Sequence, residues 1–451
     1  MGIIYNEKAK TFTLHTQNTT YQMQIDAYGF LLHLYYGRKT DGVMDYLLTY
    51  ADRGFSGNPQ DTGNDRTYSL DVLPQEFPCR LTGDFRSPVL DLVNADGSFG
   101  CDLRYQGYEI CDGKYNLKGL PAVYAIEEEA QTLIIYMKDQ VTGLQVELLY
   151  GVLPEYDVIT RSAKVINTEE DKIRLTKAQA ACIDFVHGEF DVISFYGRHA
   201  MERNMQRTSV GHGAFVIGSR RGTSSHQYNP MMILAEKETT EDAGTCYGMS
   251  FVYSGGFKAE VEKDQFGQTR MQMGLQEEQF SYPLKKGEEF VIPEVILTCS
   301  NQGLEKLSQN LQRCIRKNLC RGKYKEKVRP VLINSWEACY FDFTGEDIYH
   351  LAEQAKDLGA EIRFEQVTAI ETAESGKLVK TTKDSYECRS VILATGAKNR
   401  PLSLPREQEL IGAGVSYCAT CDGMFFRGRD VAVVGGGNTA LEDAAFLANY
   451  C

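Results

Sequence analysis

No stretch of the chain reaches the about 18 consecutive apolar residues that a bilayer-spanning helix needs. The opening residues, Met1-Gly2-Ile3-Ile4-Tyr5-Asn6-Glu7, hold neither the basic segment nor the apolar run of a secretory leader, and Asn6 stands where N-myristoylation needs Ser or Thr. These absences predict a cytoplasmic protein with no membrane partner. Basic runs are equally scarce. With a net charge of -13 and no dense cluster of Lys and Arg, the surface repels phosphate backbones, which argues against nucleic acid as a partner. The 13 cysteines are odd in number and scattered from Cys79 to Cys451, the pattern of reduced thiols rather than a disulfide framework. Without a leader, the sequon Asn18-Thr19-Thr20 reads as chance.

What is present is ordinary globular material. The chain is 43% apolar and 24% charged, which excludes disorder and fibrous repeats. A length of 451 residues predicts about three domains at ~150 residues each. Up to about residue 300, apolar alternations recur between Gly, Asn and Asp turns: Tyr21, Met23, Ile25; Leu144, Val146, Leu148, Tyr150; Phe257, Ala259, Val261. A period of two marks half-buried strands, and strand after strand with little helical periodicity between predicts a large antiparallel β-supersandwich.

The pattern then changes. Leu304, Leu307, Leu311, Ile315 and Leu319 lie three or four apart, which predicts a helix ending near Gly322, and a basic linker runs from Lys323 to Arg329. Pro330-Val331-Leu332-Ile333 is a continuous apolar run of the kind buried on both faces in parallel sheets. Thr344 with Asp347 three residues on can cap a helix faced by Ile348, Leu351, Ala352, Ala355 and Leu358, with Gly359 as its left-handed exit. That is one β/α unit, and the seven further strands a barrel needs do not follow. Instead come Ile362, Phe364 and two short alternating segments reaching Cys388, a three-stranded meander, then the apolar strand Val391-Ile392-Leu393-Ala394. A second apolar strand, Val431 to Val434, runs through Gly435 into a helix carrying Leu441, Ala444, Ala445 and Ala448.

Three stretches of the first part carry a resemblance: Asp52-Arg53-Gly54-Phe55-Ser56, Gly218-Ser219-Arg220-Arg221-Gly222-Thr223-Ser224-Ser225-His226, and Arg329-Pro330-Val331-Leu332-Ile333-Asn334-Ser335-Trp336-Glu337-Ala338. Residues 1 to about 358 resemble the family 36 glycoside hydrolases, the bacterial α-galactosidases. The resemblance implies a β-supersandwich, a helical connector and the first strand and helix of a (β/α)8 barrel. It also implies α-galactosides as substrates, cleaved in that family with retention by two aspartates on later barrel strands, and neither can be placed in this chain. Of the family's pocket, the resemblance leaves two substrate-binding candidates: Trp336, the single tryptophan, and Asp52, on a loop like one lent to a neighbouring subunit. Read from the residues alone, Trp336 is equally well a core side chain and Asp52 a solvated turn residue. A sandwich of this kind is also a candidate for self-association into a homo-oligomer.

From Gly359 the chain resembles the bacterial thioredoxin reductases. The stretches are Ile392-Leu393-Ala394-Thr395-Gly396-Ala397, Ser416-Tyr417-Cys418-Ala419-Thr420-Cys421-Asp422-Gly423 and Val433-Val434-Gly435-Gly436-Gly437-Asn438-Thr439-Ala440. Cys418 and Cys421 have the spacing that lets two sulfurs meet on one turn and lowers one thiol's pKa. Zinc is the rival reading, but no second Cys or His pair stands at convincing ligand spacing, so no metal site is expected. By resemblance, Cys421 faces a flavin, Cys418 attacks the disulfide of thioredoxin, and Asp422 supplies or takes the proton. Gly435-x-Gly437-x-x-Ala440 between a strand and a helix is a dinucleotide fingerprint, with Asn438 and Thr439 opening the helix on which a pyrophosphate rests. The residue that selects NAD or NADP stands about 20 positions further on, beyond Cys451, so NADPH is implied by the resemblance alone. Thr395 and Gly396 match the turn that meets FAD, while the flavin's own glycine-rich unit, N-terminal in the family, is missing.

The expected organisation is therefore multidomain: a β-supersandwich over 1–300, a helical connector over 301–329, the first β/α unit of a truncated barrel over 330–358, the end of an FAD domain over 359–399, and the start of an NADPH domain over 400–451. The seam falls at Leu358-Gly359-Ala360-Glu361, a helix exit that suits either family. The expected function is that of a hybrid inactive in both parent reactions. NADPH- and FAD-dependent reduction of thioredoxin disulfide through Cys418 and Cys421 is the alternative.

Overall fold

The computed structural model describes residues 2–52, 54, 57–168, 172–278, 280–327, 340, 342–357, 363, 365–373, 376–391, 405–411, 414–416, 426–435, 438–448 and 451. The chain divides into two units, Met1–Val328 and Arg329–Cys451.

In the first unit, alternation does what a period of two requires. Tyr21, Met23 and Ile25 on strand Thr19–Ile25 are buried, as are Leu144, Val146, Leu148 and Tyr150 leading into and along Gln145–Leu153, and Phe257, Ala259 and Val261 on Phe257–Lys263. The strands assemble into three sheets. Ile3–Asn6, Thr11–His15, Thr19–Ile25 and Leu31–Arg38 pair antiparallel in chain order. A nine-stranded antiparallel sheet has the spatial order Met201–Ser209, Phe190–Arg198, Tyr228–Glu236, Cys246–Phe251, Glu289–Ser300, Val158–Ile166, Gln145–Leu153, Gln131–Asp139, Leu103–Asp112. In the six-stranded sheet the long strand Ile173–Phe185 pairs with Thr269–Leu275 along one half and with Leu90–Val93 and Tyr282–Leu284 along the other. Side chains from all three sheets share one core, from Phe12 and Tyr21 through Val146 and Val165 to Ala181, Val261 and Met271.

The connector helix Gly303–Cys314 buries Leu304, Leu307 and Leu311, as its spacing predicts. The helix continues through Ile315 and ends at Leu319, close to the expected end near Gly322, but Ile315 and Leu319 are only half-buried. The last turn, Ile315–Leu319, widens so that the Cys320 N–H reaches the Ile315 carbonyl at 2.8 Å, and Cys320 is already extended. Cys314 and Asn318 take the buried positions there. Asn318 Nδ2 donates to the Tyr124 carbonyl at 2.8 Å and its own carbonyl accepts from Tyr124 N at 2.8 Å, which clasps the helix end to the sandwich.

The sandwich interior also holds charge. Burial lowers Lys114 to about 8 although Glu294 Oε2 lies 2.5 Å from its Nζ, and both side chains are fully enclosed. Glu294 Oε1 also accepts the Val123 N–H at 2.7 Å, so the carboxylate is satisfied on both oxygens.

In the second unit, the capping signal is realised. Thr344 Oγ1 donates to Asp347 Oδ2 at 2.8 Å, Thr344 N to the same oxygen at 2.7 Å, and the helix Gly345–Asp357 follows. Ile348 and Leu351 are half-buried on it. The meander forms as three antiparallel strands, Val367–Ala373, Gly376–Thr381 and Ser385–Cys388. Ile362, Phe364, Gly359, the run Pro330–Ile333 and Ile392–Ala394 of the first apolar strand lie outside the described residues. Val431–Val434 forms no strand, contrary to expectation: no described strand pairs with it, and Val434 is 66% exposed. An apolar run of that kind needs neighbours on both edges to become a strand. The helix after it, Asn438–Leu447, is present, with Ala444 half-buried and Ala445 and Ala448 exposed. No helix among the described residues is long and apolar enough to cross a membrane.

Candidate functional site

Asp52 sits in an exposed turn. Its Oδ1 accepts the Gly54 N–H at 2.8 Å, the short-range bond by which Asp stabilises a turn, and pairs with Arg66 Nη2 at 3.1 Å. Both partners are more than half exposed, so the ion pair itself adds little stability. The structure therefore places Asp52 on a surface loop. Trp336 lies outside the described residues.

The stretch Gly218 to His226 is built with more care. Ser219 N donates to the Phe257 carbonyl at 2.9 Å, Ser224 N to the Ser254 carbonyl at 2.8 Å and Thr223 Oγ1 to the same oxygen at 3.0 Å, so the loop is tied to the turn before strand Phe257–Lys263. Gly218 is required at the join. A Cβ there would meet the Phe257 carbonyl oxygen at 2.5 Å. Beside the loop opens a cleft of about 630 Å3. In its wall Lys258 Nζ lies 2.6 Å from Glu277 Oε1 and 2.8 Å from Glu260 Oε2, and Lys177 Nζ approaches Glu277 Oε2 at 3.5 Å. At the rim Arg220 Nη2 meets Glu278 Oε1 at 2.7 Å. In the sequence the Gly218–His226 stretch stood out only as a carrier of the family resemblance, with no sign of a cleft. Its charged partners come from strands far apart in sequence.

Of the redox residues, Cys418, Cys421 and Asp422 lie outside the described residues, as do Thr395, Gly396 and Gly437. The fingerprint's outer positions are described. Gly435 has φ +155, and a Cβ on it would stand 2.8 Å from Ala440 Cβ. The absence of a Cβ on Gly435 thus leaves room for Ala440 in the first turn of helix Asn438–Leu447. Asn438 and Thr439 open the helix. Among the described residues no group of three or more His, Cys, Asp or Glu converges as a metal site would.

Comparison with known proteins divides the chain the same way. Residues 29–285 match the glycosyl hydrolase family 36 N-terminal domain, residues 289–365 the melibiase family, and residues 348–450 the pyridine nucleotide-disulphide oxidoreductases. The last match implies a flavin- and nicotinamide-binding fold. A bifunctional α-galactosidase/sucrose kinase of Mediterraneibacter gnavus is 62% identical over 362 residues, covering 80% of this chain and 39% of its own. The solved galactosidase domain of an α-galactosidase-sucrose kinase is 62% identical with a TM-score of 0.75, over 80% of this chain and 50% of that one. A variant α-galactosidase of Geobacillus stearothermophilus, solved with raffinose, is 41% identical with a TM-score of 0.73, over 78% and 49%. The chain spans about half or less of the length of these relatives. The melibiase and oxidoreductase matches overlap over 348–365, the interval that contains Leu358 to Glu361.

Proposed function

The chain belongs to glycosyl hydrolase family 36 through its N-terminal domain, and on that premise we propose that it is a hybrid: a family sandwich without the family's hydrolysis, joined at 358–361 to an oxidoreductase segment. The observation that supports this reading most is the hand-over within 348–365, where the melibiase match gives way to another family. Retaining hydrolysis needs two carboxyl groups about 5 Å apart across the anomeric carbon. In the resembling family both stand on later barrel strands, and in this chain those positions hold the meander and the Cys418–Cys421 segment. Losing both groups removes the chemistry rather than weakening it. Purified protein of verified mass is expected to release no galactose from raffinose above a buffer control, and measurable turnover overturns the reading.

The second reading gives the C-terminal segment its own chemistry. Cys418 attacks a disulfide sulfur of thioredoxin, Cys421 attacks the mixed disulfide and closes the 418–421 bond, and Asp422 delivers the proton to the leaving thiolate. Gly435, Gly437, Asn438, Thr439 and Ala440 hold the pyrophosphate of NADPH, and the close approach of Gly435 to Ala440 favours that fit. Thr395 and Gly396 meet FAD. When bound, the two cofactors supply the hydride and the electron path that return the disulfide to a dithiol. Family 36 sequence stands where a flavin domain would begin, so sustained turnover is not expected, and NADPH-dependent reduction of a disulfide reporter with added FAD would favour this second reading.

A further inference from the structure

We propose that the cleft beside the Gly218–His226 loop binds a neutral, polyhydroxylated ligand of oligosaccharide type, independently of any hydrolysis. Its volume of about 630 Å3 falls within the range of small-ligand sites, about 300–1,000 Å3. The argument turns on which polar groups are already used. Lys258 and Lys177 are balanced by Glu260 and Glu277, and Arg220 by Glu278, so the wall presents little net charge to a ligand. An anionic ligand would find Glu277 and Glu278 beside every cation except Arg221.

Three groups stay unused. Arg221, Gln227 and Tyr228 all line the cleft, and their side chains make no hydrogen bond or ion pair among the described residues. They are not loose ends of a loose loop, because the backbone between them is fixed by the bonds from Ser219, Thr223 and Ser224 to the 254–257 turn. A preorganised loop that holds unpartnered donors and acceptors over a cleft loses little entropy when a ligand satisfies them. The planar fork of Arg221 suits two adjacent hydroxyls, and the Gln227 amide offers a donor and an acceptor together. Tyr228, half-buried against the core, offers a ring face with a polar tip, suited to a ligand with apolar C–H faces and hydroxyl edges.

The test is saturation-transfer NMR on the full chain with raffinose, then with sodium sulfate and with galacturonate as competitors, in the parent protein and in Arg221→Ala/Gln227→Ala. Both replaced side chains are exposed, so the variant is expected to keep its melting temperature. Transfer to the sugar in the parent, with affinity reduced about tenfold or more in the variant, supports the site. No transfer in the parent, transfer unchanged in the variant, or displacement by sulfate overturns it. Because this readout measures binding, its failure leaves the hydrolysis reading untouched, and galactose release tests that separately.

Discussion

Replacing Arg270 with methionine is expected to destabilise the N-terminal unit by about 3–5 kcal/mol at neutral pH, read as a lower denaturant midpoint at unchanged slope. Arg270 Nε and Nη2 lie 2.7 Å from the two oxygens of Asp184, and Nη2 lies 2.7 Å from Asp84 Oδ2. Arg86 completes the cluster, 2.9 Å from Asp84 Oδ1 and 3.4 Å from Asp184 Oδ2. All four side chains are buried. Two cations and two anions balance, and removing one leaves a carboxylate without compensation in a low-dielectric interior. The double variant Arg270→Met/Asp184→Asn restores the balance and is expected to recover part of the loss, a coupling that a double-mutant cycle measures.

The pH dependence follows from the same cluster. Burial alone would raise Asp184, but Arg270 and Arg86 outweigh it and bring the carboxyl down to about 2. Its folded pKa is below the unfolded value of about 3.9, so the stability it contributes is present above about pH 4 and is lost as pH falls toward 2. In Arg270→Met the burial is no longer opposed by that guanidinium and Asp184 takes up a proton at higher pH. The gap between parent and variant should therefore narrow as the medium is acidified from neutrality.

Glu76→Gln is the second large effect, expected at about 3 kcal/mol or more. Glu76 is enclosed at the meeting point of three groups from separate strands: Tyr21 Oη donates to it at 2.7 Å, Tyr150 Oη at 2.8 Å, and Arg161 Nη1 lies 2.6 Å away. His33 Nδ1 stands at 3.2 Å. Burial would raise the Glu76 carboxyl, yet Arg161 and His33 hold it below its ordinary value. Glutamine keeps the shape and one acceptor but leaves the Arg161 guanidinium charged and uncompensated. Tyr21→Phe removes one bond and no charge, and is expected to cost only about 1–2 kcal/mol. Equal losses in the two variants would show that hydrogen bonding, not charge, holds the hub together.

Neither cluster was legible in the sequence. Glu76, Arg161, Asp184 and Arg270 look like solvated charges in any local window, because the partners named above lie 43 to 186 positions away and only the tertiary fold brings them together. Local signals did better. The alternations at Tyr21–Ile25 and Phe257–Val261, the Thr344–Asp347 cap and the meander up to Cys388 each depend on neighbours within a few residues, and each formed as its pattern implied. The apolar run at Val431–Val434 misled because hydrophobicity states a need for sheet neighbours without supplying them. In the candidate sites, the spacing of Gly435 and Ala440 was readable, whereas the Lys258–Glu277 cleft was not, since it joins residues distant in sequence.

The most direct measurement is limited proteolysis of the full chain with mass spectrometry of the products. The N-terminal unit ends at Val328 around one shared core, while the second unit exposes Val367, Val434 and Ile411 with no described strand along Val431–Val434. A resistant fragment that begins near the N-terminus and stops before about residue 330, with the remainder cut rapidly, is the predicted result. Uniform resistance through residue 451 would contradict it, and with it the view that a family 36 sandwich stands here beside a segment severed from its own fold.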